Sequence, residues 1–248
     1  RAGRLLSSLL DYLNIKELYP PQKDAMEVVE KGDSLLMSVP TAAGKTLVAY
    51  AALIRAVNAK KKGIYLVPLR ALAWEKVVEL RGICNSILNG AKVGVSVGDF
   101  DKARGLSKYD IIVATSERAD SLIRNNPSWL GDVECLVSDE IHLLNDSGRG
   151  PTLEITLSKF REINPNIQIV GLSATVSNSK EIADWLDATL VESDFRPVPL
   201  RKGISLDRDI KWDDGETDQI GLEGGLPTTT SKVEFSTPGK LLQRASPM

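Results

Sequence analysis

The 248 residues of this chain are 42% apolar and 26% charged, with a net charge of −2, the balance of an ordinary globular protein long enough to bury one large α/β core or two small ones. Such a charge excludes a globally basic nucleic-acid binder, so any contact of that kind has to come from a local patch. The sequence holds neither an apolar run of about 18 residues nor a signal-peptide pattern, which argues against a membrane partner and for a cytoplasmic protein.

Residues 3–31 read as two short helices broken by Tyr19-Pro20-Pro21, with Gln22 opening the second. From residue 33 to residue 192, short β-rich runs alternate with longer helical patterns. The expected strands are SLLMSV (34–39), GIYLVP (63–68), KVGVSV (92–97), DIIVAT (110–115), VECLVSD (133–139) and IQIVGLS (167–173). Most are nearly continuous apolar runs, as expected for strands covered on both faces. KTLVAYAALIRAV, LRALAWEKVVELRGI and SERADSLIRN carry helical spacing between them. Strand, helix and strand in repeated order predict an α/β fold, a mainly parallel sheet with helices on both faces, whose ligands collect beyond the carboxyl ends of strands. Cys84 and Cys135 are far apart, without a CxxC motif, and read as buried free thiols. After Phe195 the pattern fades. FRPVPLRKGI is extended by its prolines, DRDIKWDDGETD reads as acidic and weakly ordered, and the Gly, Ser, Thr and Pro-rich remainder reads as a tail or expression-derived sequence.

LLMSVPTAAGKT (35–46) is an apolar run that opens into a small-residue loop. Backbone N–H groups of Thr41, Ala42, Ala43 and Gly44 can close around a polyphosphate. Lys45 places a cation beside the outer phosphates, and the Thr46 hydroxyl can complete the shell of Mg2+. The helix that follows turns its positive dipole end to the same anion. Val39 stands where the general loop pattern wants glycine.

VECLVSDEIH ends in Asp139-Glu140, followed by Ile141 and the single histidine of the chain, His142. A phosphate loop needs a second strand whose terminal carboxylate holds the metal, and Asp139 suits that work. Glu140 can take a proton from water or orient it for attack on a γ-phosphate, and His142 sits on the turn that must sense the phosphate. Ser173-Ala174-Thr175 closes the expected strand IQIVGL and faces the same crevice.

PTAAGKT, DEIH and SAT, in this order and spacing, resemble the first motor domain of superfamily-two DExH helicases. The resemblance covers residues 15–203 and implies a RecA-like P-loop NTPase fold, ATP and Mg2+ as ligands, and translocation along a single strand. In that family the first loop glycine is commonly replaced. Tyr19-Pro20-Pro21-Gln22 looks like its adenine-recognising glutamine motif. VPLRALAWEK, TSERADSLIRNNPSWL, DEIHLLNDSGRGPTLE and LSATVSNSKEIADWL look like the archaeal DNA-repair branch related to the helicase part of DNA polymerase theta. RNA-acting cousins in exosome-linked complexes share much of this pattern and remain the alternative.

By that likeness Arg70, Thr115, Ser116 and Arg118 contact the strand, with Gly98-Asp99 beside them, and Ser173 and Thr175 couple the strand to the ATP site. A cation and short hydroxyls suit phosphates of any sequence, although Arg70 on its own also reads as a solvated first-turn arginine. The expected organisation is a helical segment with the glutamine motif at 1–32, the RecA-like domain at 33–203 and a tail at 204–248. Nothing after residue 203 resembles the arginine motif of a second RecA-like domain. The expectation is therefore an isolated first domain with weak or no unwinding alone, needing a second such domain as partner. A non-catalytic docking module and a different P-loop enzyme are the other readings, and no LSGGQ-like signature supports a transporter.

Overall fold

Each expected apolar run becomes a strand, and the strands lie side by side in parallel. The computed structural model describes residues 2–41, 43–98, 103–198, 200–206, 209–219 and 240–245. The expected phosphate contact at Ala42, Asp99 beside the expected groove, and residues 220–239 and 246–248 of the expected tail lie outside the described residues. Contacts divide the chain into two units, residues 1–195 and 196–248.

In the first unit the order is α1 (Ala2–Tyr12), α2 (Pro20–Lys31), β1 (Leu35–Ser38), α3 (Lys45–Asn58), β2 (Lys62–Val67), α4 (Arg70–Ile87), β3 (Val93–Ser96), β4 (Ile111–Thr115), α5 (Ser116–Arg124), β5 (Val133–Ser138), α6 (Gly150–Ile163), β6 (Gln168–Ser173), α7 (Ser179–Leu186) and β7 (Thr189–Glu192). The strands form one seven-stranded parallel sheet in the order β3-β4-β2-β5-β6-β1-β7. Side chains alternate between its faces. Leu35, Met37, Tyr65 and Val67 join a core with α1 to α4, whereas Leu36, Ile64 and Leu66 join a second core with α5 to α7. Both faces are thus covered, which is why the strands read as unbroken apolar runs. The amino-terminal helices belong to the first core through Leu9, Ala25, Met26 and Val29 rather than standing apart from the sheet. Cys84 and Cys135 are buried free thiols, and burial pushes their pKa values up to about 11 and about 12. Among the described residues no helix is long and apolar enough to cross a membrane.

The second unit contains β8 (Leu200–Leu206), β9 (Asp209–Trp212), β10 (Thr217–Gln219) and β11 (Lys240–Ala245) in an antiparallel sheet ordered β10-β9-β8-β11. The acidic stretch expected to be weakly ordered therefore forms β9 and β10. Ile210 and Trp212 are buried on one face with Lys211 exposed between them, and Trp212 Nε1 donates to Asp218 Oδ2 at 2.9 Å. Residue 203, the expected domain boundary, lies within β8.

At the amino edge of the parallel sheet, Gln168 opens β6 almost completely buried. Its Nε2 donates to the carbonyl oxygens of Asp33 at 2.8 Å and Val29 at 3.4 Å, and its Oε1 accepts from Arg55 Nη2 at 3.0 Å. Arg55 also faces Glu134 at 3.6 Å. One carboxamide thereby joins α2, α3, β5 and β6. Gln168→Leu keeps the apolar bulk but leaves buried partners unmatched, and urea unfolding is expected to show a loss of about 2–3 kcal/mol.

Candidate functional site

Parallel pairing places the carboxyl ends of β1, β2, β4, β5 and β6 on one edge of the sheet. After β1 the chain passes Pro40, exposed Thr41 and buried Ala43 to Gly44, which caps α3 with φ +72°. A Cβ on Gly44 would lie 2.1 Å from Gln22 Nε2. The left-handed conformation favours glycine there, and a side chain would push Gln22 from its place. Gln22 itself is buried: its Nε2 donates to Gly44 O at 3.1 Å while its Oε1 accepts from Tyr19 N–H at 2.9 Å. The glutamine motif and the phosphate-loop motif are therefore in direct contact. Tyr19 stacks at a tilt on Phe195, with ring centroids 5.1 Å apart. A cavity of about 560 Å³ opens beside these groups, lined by Tyr19, Gln22, Gly44, Thr46, Tyr50 and Glu79 among others.

Lys45 Nζ donates to the carbonyl oxygens of Val39 at 3.0 Å and Pro40 at 3.4 Å, so the ammonium is folded onto its own loop. Burial holds its pKa below the ordinary lysine value, with the carboxylates of Glu140 and Asp139 pulling the other way. Asp139 N–H donates to Leu66 O at 3.0 Å and continues the β5 pairing by one residue. Its Oδ2 accepts from the Tyr65 hydroxyl at 3.0 Å and its Oδ1 from Glu140 N–H at 3.0 Å. Glu140 has φ +50° and ψ +44°, a left-handed conformation that costs a residue with a side chain about 1–2 kcal/mol. The left-handed residue turns the chain sharply at the end of β5.

His142 Nδ1 lies 3.3 Å from Glu140 Oε2 and 3.4 Å from the N–H of Ala174, which donates to it. The same ring nitrogen thus faces both a carboxylate and a backbone donor. The Ser173 and Ser38 hydroxyls both donate to Ala174 O, at 2.7 and 3.3 Å. Thus the SAT segment is tied to β1 through Ser38 and to the acidic turn through His142, whereas Thr175 is exposed.

The four expected strand-contacting residues are placed unevenly. Arg70 is exposed at the first position of α4. Thr115 is buried and its hydroxyl accepts from Arg118 N–H at 3.4 Å, capping α5. Ser116 is half-buried, its carbonyl accepting from the Thr156 hydroxyl at 3.3 Å, and Arg118 Nε donates to Ser96 Oγ at 3.4 Å. Gly98 follows just after β3. A narrow cleft lined by Pro68, Ser116, Asp139 and Arg149 runs between the β2 end and the acidic turn.

Sequence reasoning passed over Tyr65, Ser138 and Arg149. Ser138 ends β5, and its buried hydroxyl makes no hydrogen bond among the described residues. The only visible hint of Tyr65 was an aromatic residue inside an otherwise aliphatic run.

Among the described residues no group of three or more His, Cys, Asp or Glu could hold a metal ion by itself. A hard cation at Asp139 would need further oxygens from a hydroxyl and from a ligand, as Mg2+ takes them from phosphates. The glycine-tight loop, one ammonium, one hydroxyl and one carboxylate fit a nucleoside triphosphate carrying such a cation.

Residues 19–183 match the DEAD/DEAH box helicase family. Over 201 residues the chain is 50% identical to the ATP-dependent DNA helicase Hel308 of Thermoplasma acidophilum, a match covering 81% of this chain and 29% of that relative. It is 46% identical over 220 residues to Hel308 of Methanococcus vannielii, covering 86% of this chain and 29% of the relative. The chain thus spans less than a third of the length of these relatives. Its fold is similar to that of the helicase MrfA bound to DNA and AMPPNP, with a TM-score of 0.68 and 25% identity, over 78% of this chain and 29% of that one. On the match across residues 19–183 and the site that those residues build, the chain belongs to the DEAD/DEAH box helicase family.

Proposed function

We infer that this chain is the nucleotide-holding motor domain of an ATP-dependent helicase that moves along single-stranded DNA in repair or fork restart. The observation that carries the reading is the direct hydrogen bond from Gln22 to Gly44, which brings the adenine-recognising motif and the phosphate loop into one pocket. The curated relatives bear the name ATP-dependent DNA helicase, which favours DNA over RNA as the track.

In this reading Gln22 and Tyr19 take the adenine, while the loop from Thr41 to Gly44 and the first turn of α3 take the phosphates. Lys45 leaves the carbonyl oxygens of Val39 and Pro40 to pair with phosphate oxygens. Thr46 and Asp139 would hold Mg2+, whose charge offsets that of the phosphates when bound. Glu140 orients a water and accepts its proton. His142, Ser173 and Thr175 link this turn to the end of β6. An arginine supplied by a second RecA-like domain completes the charge stabilisation, an effect of about 10³–10⁵ in related enzymes.

The strand crosses the amino ends of α4 and α5. Arg70 offers a cation there, and the amino end of each helix favours phosphate. Thr115 and Arg118 act by setting the start of α5, with Ser116 presented at its first position. The presence of Lys45, Thr46, Asp139 and Glu140 in the sequence argues against a decayed docking module.

Single-stranded DNA should raise the ATPase rate when a second RecA-like domain is supplied, and the chain alone should turn over slowly and leave duplexes intact. A larger response to single-stranded RNA than to DNA would reverse the choice of track. ADP at a hundredfold excess over its Kd should stabilise the fold by about 2.7 kcal/mol, a rise in Tm of roughly 5–10 °C. Lys45→Ala should abolish that shift, and an unchanged shift would remove Lys45 from the phosphate site. Glu140→Gln should keep the shift and lose ATP turnover in the two-domain assembly; lost binding would instead assign Glu140 to ligand or metal contact.

A further inference from the structure

Tyr65 is the aromatic residue of β2, and it is fully buried on the face shared with α3 and α4. A buried phenol requires a partner for its hydroxyl. Here that partner is Oδ2 of Asp139, 3.0 Å away on the neighbouring strand end. The other oxygen of the same carboxylate is taken by Glu140 N–H. Two donors, one from β2 and one from the turn after β5, therefore limit how far the carboxylate can rotate about its own axis, and each carboxylate oxygen keeps a lone pair unused.

The Tyr65 ring is itself held. Tyr50 of α3 packs against it with centroids 6.3 Å apart at 52°. The Tyr50 hydroxyl donates to Glu79 of α4, which Lys76 also engages at 3.0 Å. Displacing the phenol would disturb that packing, so the position of its oxygen is held by α3 and α4.

We propose that Tyr65 is a positioning residue for the metal of the nucleotide complex, its hydroxyl holding the Asp139 carboxylate in the orientation in which it meets a divalent cation. This rests on the reading of Asp139 given under the proposed function. Partners of metal-binding carboxylates change metal affinity by about 10–100-fold when removed. Tyr65→Phe removes the hydroxyl and keeps the ring.

The test measures Mn2+ binding to the full chain by electron paramagnetic resonance in the presence of ADP, alongside ADP binding by melting shift in EDTA. Tyr65→Phe should weaken Mn2+ about tenfold and leave the affinity for ADP in EDTA unchanged. Tyr109→Phe, which removes a phenol hydroxyl just before the amino end of β4 and away from the cavity, should leave both unchanged. In an Asp139→Asn background, Tyr65→Phe should have no further effect on Mn2+. Unaltered Mn2+ affinity in Tyr65→Phe, an equal loss in Tyr109→Phe, or additive losses in the double variant would overturn the positioning role. A wild-type chain with no ADP shift would instead overturn the functional reading itself.

Discussion

Parallel hydrogen bonding among three neighbouring strands is the constraint on which the polar edge depends. β1, β6 and β5 lie next to one another, with Ser38 opposite Ser173 and Ser138 opposite Gly171. Because the strands run in one direction and in this register, the loop after β1, the SAT segment and the acidic turn leave the sheet at the same level. β2 and β4 continue the sheet on the far side of β5, so the starts of α4 and α5 stand next to the acidic turn rather than beside the phosphate loop. Asp139 is at the junction of the two halves, bonded to β2 through Leu66 and Tyr65.

Two apolar cores, one on each face, hold this edge in place. Polar groups at the edge then satisfy one another rather than relying on solvent. Lys45 is bonded to loop carbonyls, both Asp139 oxygens are accepting, and Ala174 draws in two serine hydroxyls and the His142 ring. The exceptions are informative. Glu140 carries backbone strain and Ser138 an unpaired buried hydroxyl, and both stand at the end of β5. Strain and unmatched polarity of this kind gather where a fold gives up stability for chemistry.

The parallel sheet was legible because double-sided burial writes each strand as a continuous apolar run. β7 escaped, since TLVE has one buried residue in four and no such run. β9 escaped for a different reason. Its alternation of buried Ile210 and Trp212 with exposed Lys211 is a period-two signal that the surrounding acidic residues obscured. Within the site, the residue types that suit phosphate and metal stand in order along the chain, at Gly44, Lys45, Thr46 and Asp139, where loop chemistry makes them visible. Tyr65 was not visible, because its bond to Asp139 comes from the register between β2 and β5 and not from spacing within either strand. Thr115 and Arg118 have residue types that suit phosphate, and the fold also engages both in local hydrogen bonds that the sequence alone did not signal.

Gln22 has a further consequence, which follows from counting. A carboxamide offers two N–H donors and two acceptor lone pairs. Gly44 O takes one donor and Tyr19 N–H takes one lone pair, leaving one of each. An adenine edge presents the complement, an N6 amino donor beside the N7 acceptor, whereas guanine presents two acceptors, O6 and N7. The one remaining donor can serve only one of guanine's two acceptors. On the proposed reading of this pocket, purine discrimination would come by exhaustion: the backbone of the loop and of residue 19 uses up what the wrong base would need.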